Sequence, residues 1–84
     1  MTAATRTASA PRLALYQPVR TRVAVAAAAG ERAVQAGEVG TVIEILETPW
    51  LAYMVEFDDP EGLTLPILRP EDLEPWSPPA NQPA

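Results

Sequence analysis

The carboxylates Asp58, Asp59 and Glu61, set around Pro60 and Gly62, form a cluster of metal-capable side chains that could suggest calcium. A calcium loop presents oxygen ligands at regularly alternating positions around a central glycine and closes with a bidentate glutamate. Asp58-Asp-Pro-Glu-Gly62 lacks that spacing, and its residue types are those a tight turn demands. Zinc is excluded for practical purposes, because the chain has neither cysteine nor histidine. Nucleophilic catalysis fares no better. There is no lysine, and Ser9 and Ser77 lie towards the chain ends without a base to activate them. Two strand glutamates could exchange a proton in principle, but a β-fold this small offers them no pocket. The inventory points away from an enzyme, and no catalytic, cofactor-binding or metal-binding residue is assigned.

The side chains with most to offer are aromatic. Trp50 follows Pro49 in the turn between two strand-like stretches, where an indole escapes full enclosure, and Leu51 stands beside it. Exposed tryptophans serve as interface anchors, and the competing reading is that Trp50 folds back over the end of the sheet. Trp76 lies just past the last strand and is expected to cap the core, with partner contact as the alternative. Trp50, Leu51 and Trp76 are the interface candidates. Tyr16 and Tyr53 are expected in or at the edge of the core with their hydroxyls reaching solvent.

Proline and glycine punctuate the chain into short strands. Val19–Val25 alternates, with Val19, Thr21, Val23 and Val25 on one face. Ala26–Ala36 has alanines of high helix propensity but is interrupted by Gly30, and reads as a long loop with at most one helical turn. Val39–Leu46 is the second strand, and Leu51–Phe57 the third, with Leu51, Tyr53, Val55 and Phe57 sharing a side. Leu63–Leu68 is the fourth. Pro66 deprives it of a ladder donor and assigns it to an edge or a bulge. Arg69–Pro75 is expected to make one helical turn begun by Pro70, with Leu73 closing the core. Gly37, Gly40 and Gly62 are the structural glycines. Of the first two, one frees the chain to enter the strand and the other admits a closely packed neighbour.

Met1–Ala14 and Ser77–Ala84 carry too few apolar residues to pack and read as flexible tails, leaving 15–76 as one folded domain. A unit of that size is marginally stable. The longest wholly apolar run is Val23–Ala29, far short of the roughly 20 residues a spanning helix needs. Ala8-Ser9-Ala10 imitates a signal-peptidase site without an apolar stretch before it. A cytoplasmic protein without membrane insertion is expected, peripheral association being left open. Residues 1–36 carry five arginines against Glu31, or +4; residues 37–84 carry Arg69 against ten carboxylates, or −9, which together give the net −5. Such an acidic body repels nucleic acid. Its carboxylates read either as solvated strand faces and turns or as a surface facing a basic protein.

Gly37-x-x-Gly40-x-Val42-x-x-Ile45 resembles the strand-turn-strand segment of SH3-like barrels of the ribosomal and transcription-elongation KOW type. Val19–Val25, Glu38–Val42, Val55-Glu-Phe57 and Glu71-Asp-Leu73 are similar in order to the peripheral SH3-like subunit of photosystem I. The longer likeness, over Leu15–Glu74, is to a family of very short bacterial proteins described as a domain of unknown function. It rests on Leu15-Tyr16, Gly37–Glu44, Ala52–Phe57, Pro60-Glu-Gly62 and Asp72-Leu73. The chain departs from that family in its alanine-rich loop, in Trp50 and at both ends. The resemblances imply an all-β, SH3-like five-stranded barrel and an accessory role rather than catalysis. The expected function is a non-catalytic interaction module, an accessory subunit on a larger bacterial assembly such as a membrane redox or photosynthetic complex. An antitoxin-like neutraliser of a toxin protein is the alternative of the same kind. A KOW-type nucleic-acid binder is the alternative of another class, opposed by the charge.

Overall fold

In the computed structural model, which describes residues 12–60 and 62–78, the chain is all-β. Strands β1 (Pro18–Thr21), β2 (Val39–Leu46), β3 (Ala52–Asp59), β4 (Gly62–Thr64), β5 (Ile67–Leu68) and β6 (Leu73–Pro75) form one antiparallel sheet. Its order is β4-β3-β2-β1-β6, with β5 on the same edge of β3 as β4. The sheet is an open path. Among the described residues no ladder joins β6 to β4 or β5, so six strands on an open path stand where five in a closed barrel are expected.

Two strands go beyond the four read in the sequence: β6, because the turn expected over Arg69–Pro75 stops at Asp72 and Leu73–Pro75 pairs with β1, and a second edge strand that comes from Pro66. The predicted fourth strand is one edge strand broken in the middle, β4 pairing with Phe57–Asp59 and β5 with Tyr53–Met54. Between them the Val55 N–H donates to the Pro66 carbonyl at 3.0 Å. Proline can accept in a ladder but cannot donate, so an edge position tolerates it.

The long hairpin β2–β3 organises the core. Strict alternation from Val42 would aim Glu44 inward. A bulge between Val42 and Glu44 re-phases the strand, so that Val42 faces Val55 and Ile45 faces Tyr53 while Glu44 turns outward opposite Met54. Val42, Tyr53, Val55 and Phe57 are fully buried, with Val19, Val34, Leu68 and Leu73 around them. Leu73 enters the core just behind a 3-10 turn over Pro70–Asp72, as the proline-led turn predicts.

β1 stops at Thr21 for a local reason. The buried Thr21 hydroxyl accepts from the Val23 N–H at 3.2 Å and donates to the Val23 carbonyl at 2.8 Å, which bends the chain where alternation predicts more strand. Val23 is consequently exposed, and Val25 re-forms only an isolated bridge to Val34. The alanine-rich segment is a loop closed by that bridge and contains no helical turn.

Three expectations on the N-terminal side are corrected. Leu13, placed in the flexible tail, is 3% exposed and belongs to the core, which moves the packed unit upstream of Leu15. Tyr16 is 71% exposed at φ 65°, held by its N–H donating to the Val42 carbonyl, and is no core residue. The Tyr53 hydroxyl does not reach solvent. It accepts the Leu13 N–H at 2.9 Å, satisfying a polar pair inside the core. Residues 1–11 and 79–84 of the two predicted tails lie outside the described residues.

Candidate functional site

Gly40 carries the closest constraint in the fold. A Cβ built there would lie 2.7 Å from the Glu56 carbonyl oxygen, 2.8 Å from Val55 Cγ1 and 2.9 Å from Phe57 Cδ1. Here β2 lies directly against β3 and only hydrogen fits. Gly37, at φ +96°, has open space instead, and its requirement is backbone conformation alone. Gly62 opens β4, also at positive φ. All three are structural and none touches a candidate ligand site.

The described residues enclose no cavity and assemble no group of metal-capable side chains. Asp58 and Asp59, read at first as turn residues, end strand β3. Asp59 is tied to Arg32, whose Nε lies 3.0 Å from its Oδ1.

Arg32 is the electrostatic centre that sequence reasoning missed. Its side chain, 15% exposed, also bridges Glu38 Oε1 at 3.1 Å and donates to the Gly62 and Ala33 carbonyls. Its backbone N–H donates to the Thr64 hydroxyl, which donates back to the Arg32 carbonyl. One residue thereby pins the long loop to the start of β2, the end of β3 and the whole of β4. The Glu38 carboxyl is held below its ordinary range, first by the Gln35 N–H and then by the Arg32 guanidinium. Nothing in composition marks Arg32 among the arginines. The only available signal was its place in a loop that must cross the sheet edge.

The aromatic candidates separate. Trp50 stands on the β2–β3 turn after a cis Thr48–Pro49 bond and is 69% exposed. Leu51, an interface candidate through its place beside Trp50, packs against the core on the side it shares with Tyr53, Val55 and Phe57. Trp76 is half-buried and its backbone N–H donates to the Pro18 carbonyl at 3.1 Å. Pro18 faces Thr41, five residues before Leu46, so about 16 Å of strand separates the Trp76 level from the hairpin end that carries Trp50. The two tryptophans do not form one patch.

The family model for a domain of unknown function (DUF4926) matches residues 21–75. The chain belongs to this family. The match begins at Thr21, the last residue of β1, and ends with β6, so it covers β2 to β6 while leaving Leu13, the Tyr16 turn and most of β1 outside. No curated protein and no solved structure matches the chain. The DUF4926 segment holds the β2–β3 hairpin, Gly40, the Arg32 clamp and Trp50, and its family description names no activity. No helix among the described residues is long and apolar enough to cross a membrane.

Proposed function

We propose that this DUF4926 chain is a non-catalytic interaction module of the cytoplasm, an accessory subunit that docks on a larger protein assembly. The observation that carries the reading is Trp50, a large indole left 69% exposed at a hairpin tip while smaller apolar residues fill the core. Leaving a tryptophan in water forfeits the burial free energy it would gain in a core. A partner that covers it recovers that free energy, and tryptophan is enriched among residues that dominate binding. An inventory without histidine, cysteine or lysine supports the same reading over chemistry.

The test is recovery of tagged protein from native cells with mass spectrometry, comparing wild type with Trp50→Ala. A reproducible partner with wild type, reduced at least tenfold with a folded Trp50→Ala, is the expected result. A wild-type chain recovered only as free monomer defeats the accessory-subunit reading.

A further inference from the structure

The arginines account for most of the acidic surface. Arg12 pairs with Glu47, Arg20 and Arg22 with Glu74, Arg32 with Glu38 and Asp59, and Arg69 with Glu71 and Asp72. Glu31 accepts the Leu65 N–H. Three further carboxylates, Glu44, Glu56 and Asp58, have neither an ion pair nor a side-chain hydrogen bond among the described residues.

Register puts these three on one face. Glu44 opposes Met54, Met54 opposes Ile67, Glu56 opposes Thr41 and Asp58 opposes Leu63, while Val42, Tyr53, Val55 and Phe57 point to the other side. The same outer face carries apolar side chains. Leu46 lies one rung beyond Glu44, Met54 is half-buried, and Ile67 is 58% exposed. An apolar row on an outer sheet face, bordered by carboxylates that nothing in the described fold neutralises, is unlike the rest of the acidic surface.

We infer that the outer face of β2, β3 and β5 is a docking surface for a protein segment that is both basic and apolar, rich in arginine or lysine interleaved with aliphatic residues. The inference rests on the interaction-module reading and supplies the partner's chemistry. Charge complementarity selects the occupant: cations satisfy Glu44, Glu56 and Asp58 while aliphatic groups cover Met54 and Ile67. A second copy brings the same unpaired carboxylates against themselves and is disfavoured. Nucleic acid is repelled by the same charges. Backbone pairing is not the mode at the far edge of the sheet. There Pro75 has no N–H and the Leu73 N–H is held by the Pro70 carbonyl.

The probe is a synthetic extended octapeptide of alternating arginine and valine, titrated into isotope-labelled full chain and followed by NMR. Perturbations centred on the Met54 methyl and on the amides of Glu44, Glu56 and Ile67 are expected. Weakening of at least tenfold is expected in the triple variant Glu44→Gln, Glu56→Gln, Asp58→Asn, and separately in Met54→Gln with Ile67→Gln, which leaves charge unchanged. Binding indifferent to the Met54 and Ile67 changes, or perturbations spread over Glu71–Glu74, would reduce the effect to non-specific charge and overturn the proposal. So would absence of binding, or perturbation of these signals by dilution alone, which marks a second copy. For the native partner, loss of recovery with Trp50→Ala but not with the triple variant removes this face and leaves the accessory-subunit reading standing. No partner with wild type removes that reading itself.

Discussion

The two faces of the β2–β3 hairpin are built from the same backbone and have opposite chemistry. On the inner face Val42, Tyr53, Val55 and Phe57 are fully buried, and the Gly40 position admits no Cβ. On the outer face, one residue away along each strand, Glu44, Met54 and Glu56 remain partly or fully open, and their carboxylates lack partners among the described residues. A single bulge keeps the two sets apart, since without it Glu44 would point inward. The inner face is spent on folding. The proposed docking face and Trp50 lie outside that buried set.

Gly40→Val is the strongest way to break this contrast. The added side chain meets the Glu56 carbonyl and two core side chains at under 3 Å, so β2 and β3 must separate. Overpacking costs roughly 1–3 kcal/mol and more where backbone blocks relaxation. A domain this small has little stability to lose. Loss of cooperative thermal unfolding, or a midpoint lowered by more than about 10 °C, is the expected outcome. A midpoint near wild type would mean that the strands do not lie this close.

Leu13→Ala comes next. Leu13 seals the inner face from outside the matched family segment, and its N–H is the donor to the buried Tyr53 hydroxyl. Truncating a buried leucine costs about 2–5 kcal/mol. Tyr53→Phe should cost less, about 1–3 kcal/mol, because it leaves the buried Leu13 N–H without its acceptor but opens almost no cavity. Chemical denaturation of both variants checks the order. If Leu13→Ala is harmless, the core ends at β1 and the segment before it is decoration.

The inner face was largely legible in the sequence and the outer face was not. Leu51, Tyr53, Val55 and Phe57 follow a period of two, one of Gly37 and Gly40 has to admit a close neighbour, and Pro66 assigns its strand to an edge or a bulge. Leu13 escaped because its nearest apolar companions, Leu15 and Tyr16, are themselves exposed, and the contact that buries it lies far away in sequence, at Tyr53. Arg32 escaped for the same reason, since its ligands come from Glu38, Asp59 and Gly62. Val34 is buried by a bridge to Val25 that no local pattern announces. The unpaired carboxylates could be counted in the sequence. Which of them arginine neutralises is a property of the register alone.

Glu38→Gln tests the clamp through pH. The carboxyl is held low in the folded chain by the Gln35 N–H and then by Arg32, so the folded state binds its proton less readily than the unfolded one. By linkage, its contribution is complete above the ordinary glutamate range and is lost as pH falls through the lowered value. The wild type should therefore lose stability on acidification more steeply than Glu38→Gln, the two curves converging at the acid end. Parallel curves from neutral to acid pH would show that Glu38 contributes by shape and not by charge.

The smallest effect is the one that sharpens the comparison most. Glu56→Gln changes a carboxylate that opposes Thr41, shares its face with Asp58 two residues along, and has no ion pair among the described residues. Removing a charge that nothing in the fold neutralises sacrifices no attractive contact. It also relieves like-charge repulsion from Asp58 and Glu44, which is screened over about 10 Å at moderate salt. The expected change lies within about 0.5 kcal/mol of zero, on the stabilising side at low ionic strength and vanishing in high salt. Urea midpoints at two salt concentrations measure it directly. Destabilisation by more than about 1 kcal/mol would mean that Glu56 makes a structural contact, placing the outer face with the inner one as part of the folding core. A neutral or stabilising result leaves the carboxylate without a folding role, as a surface kept for a partner requires.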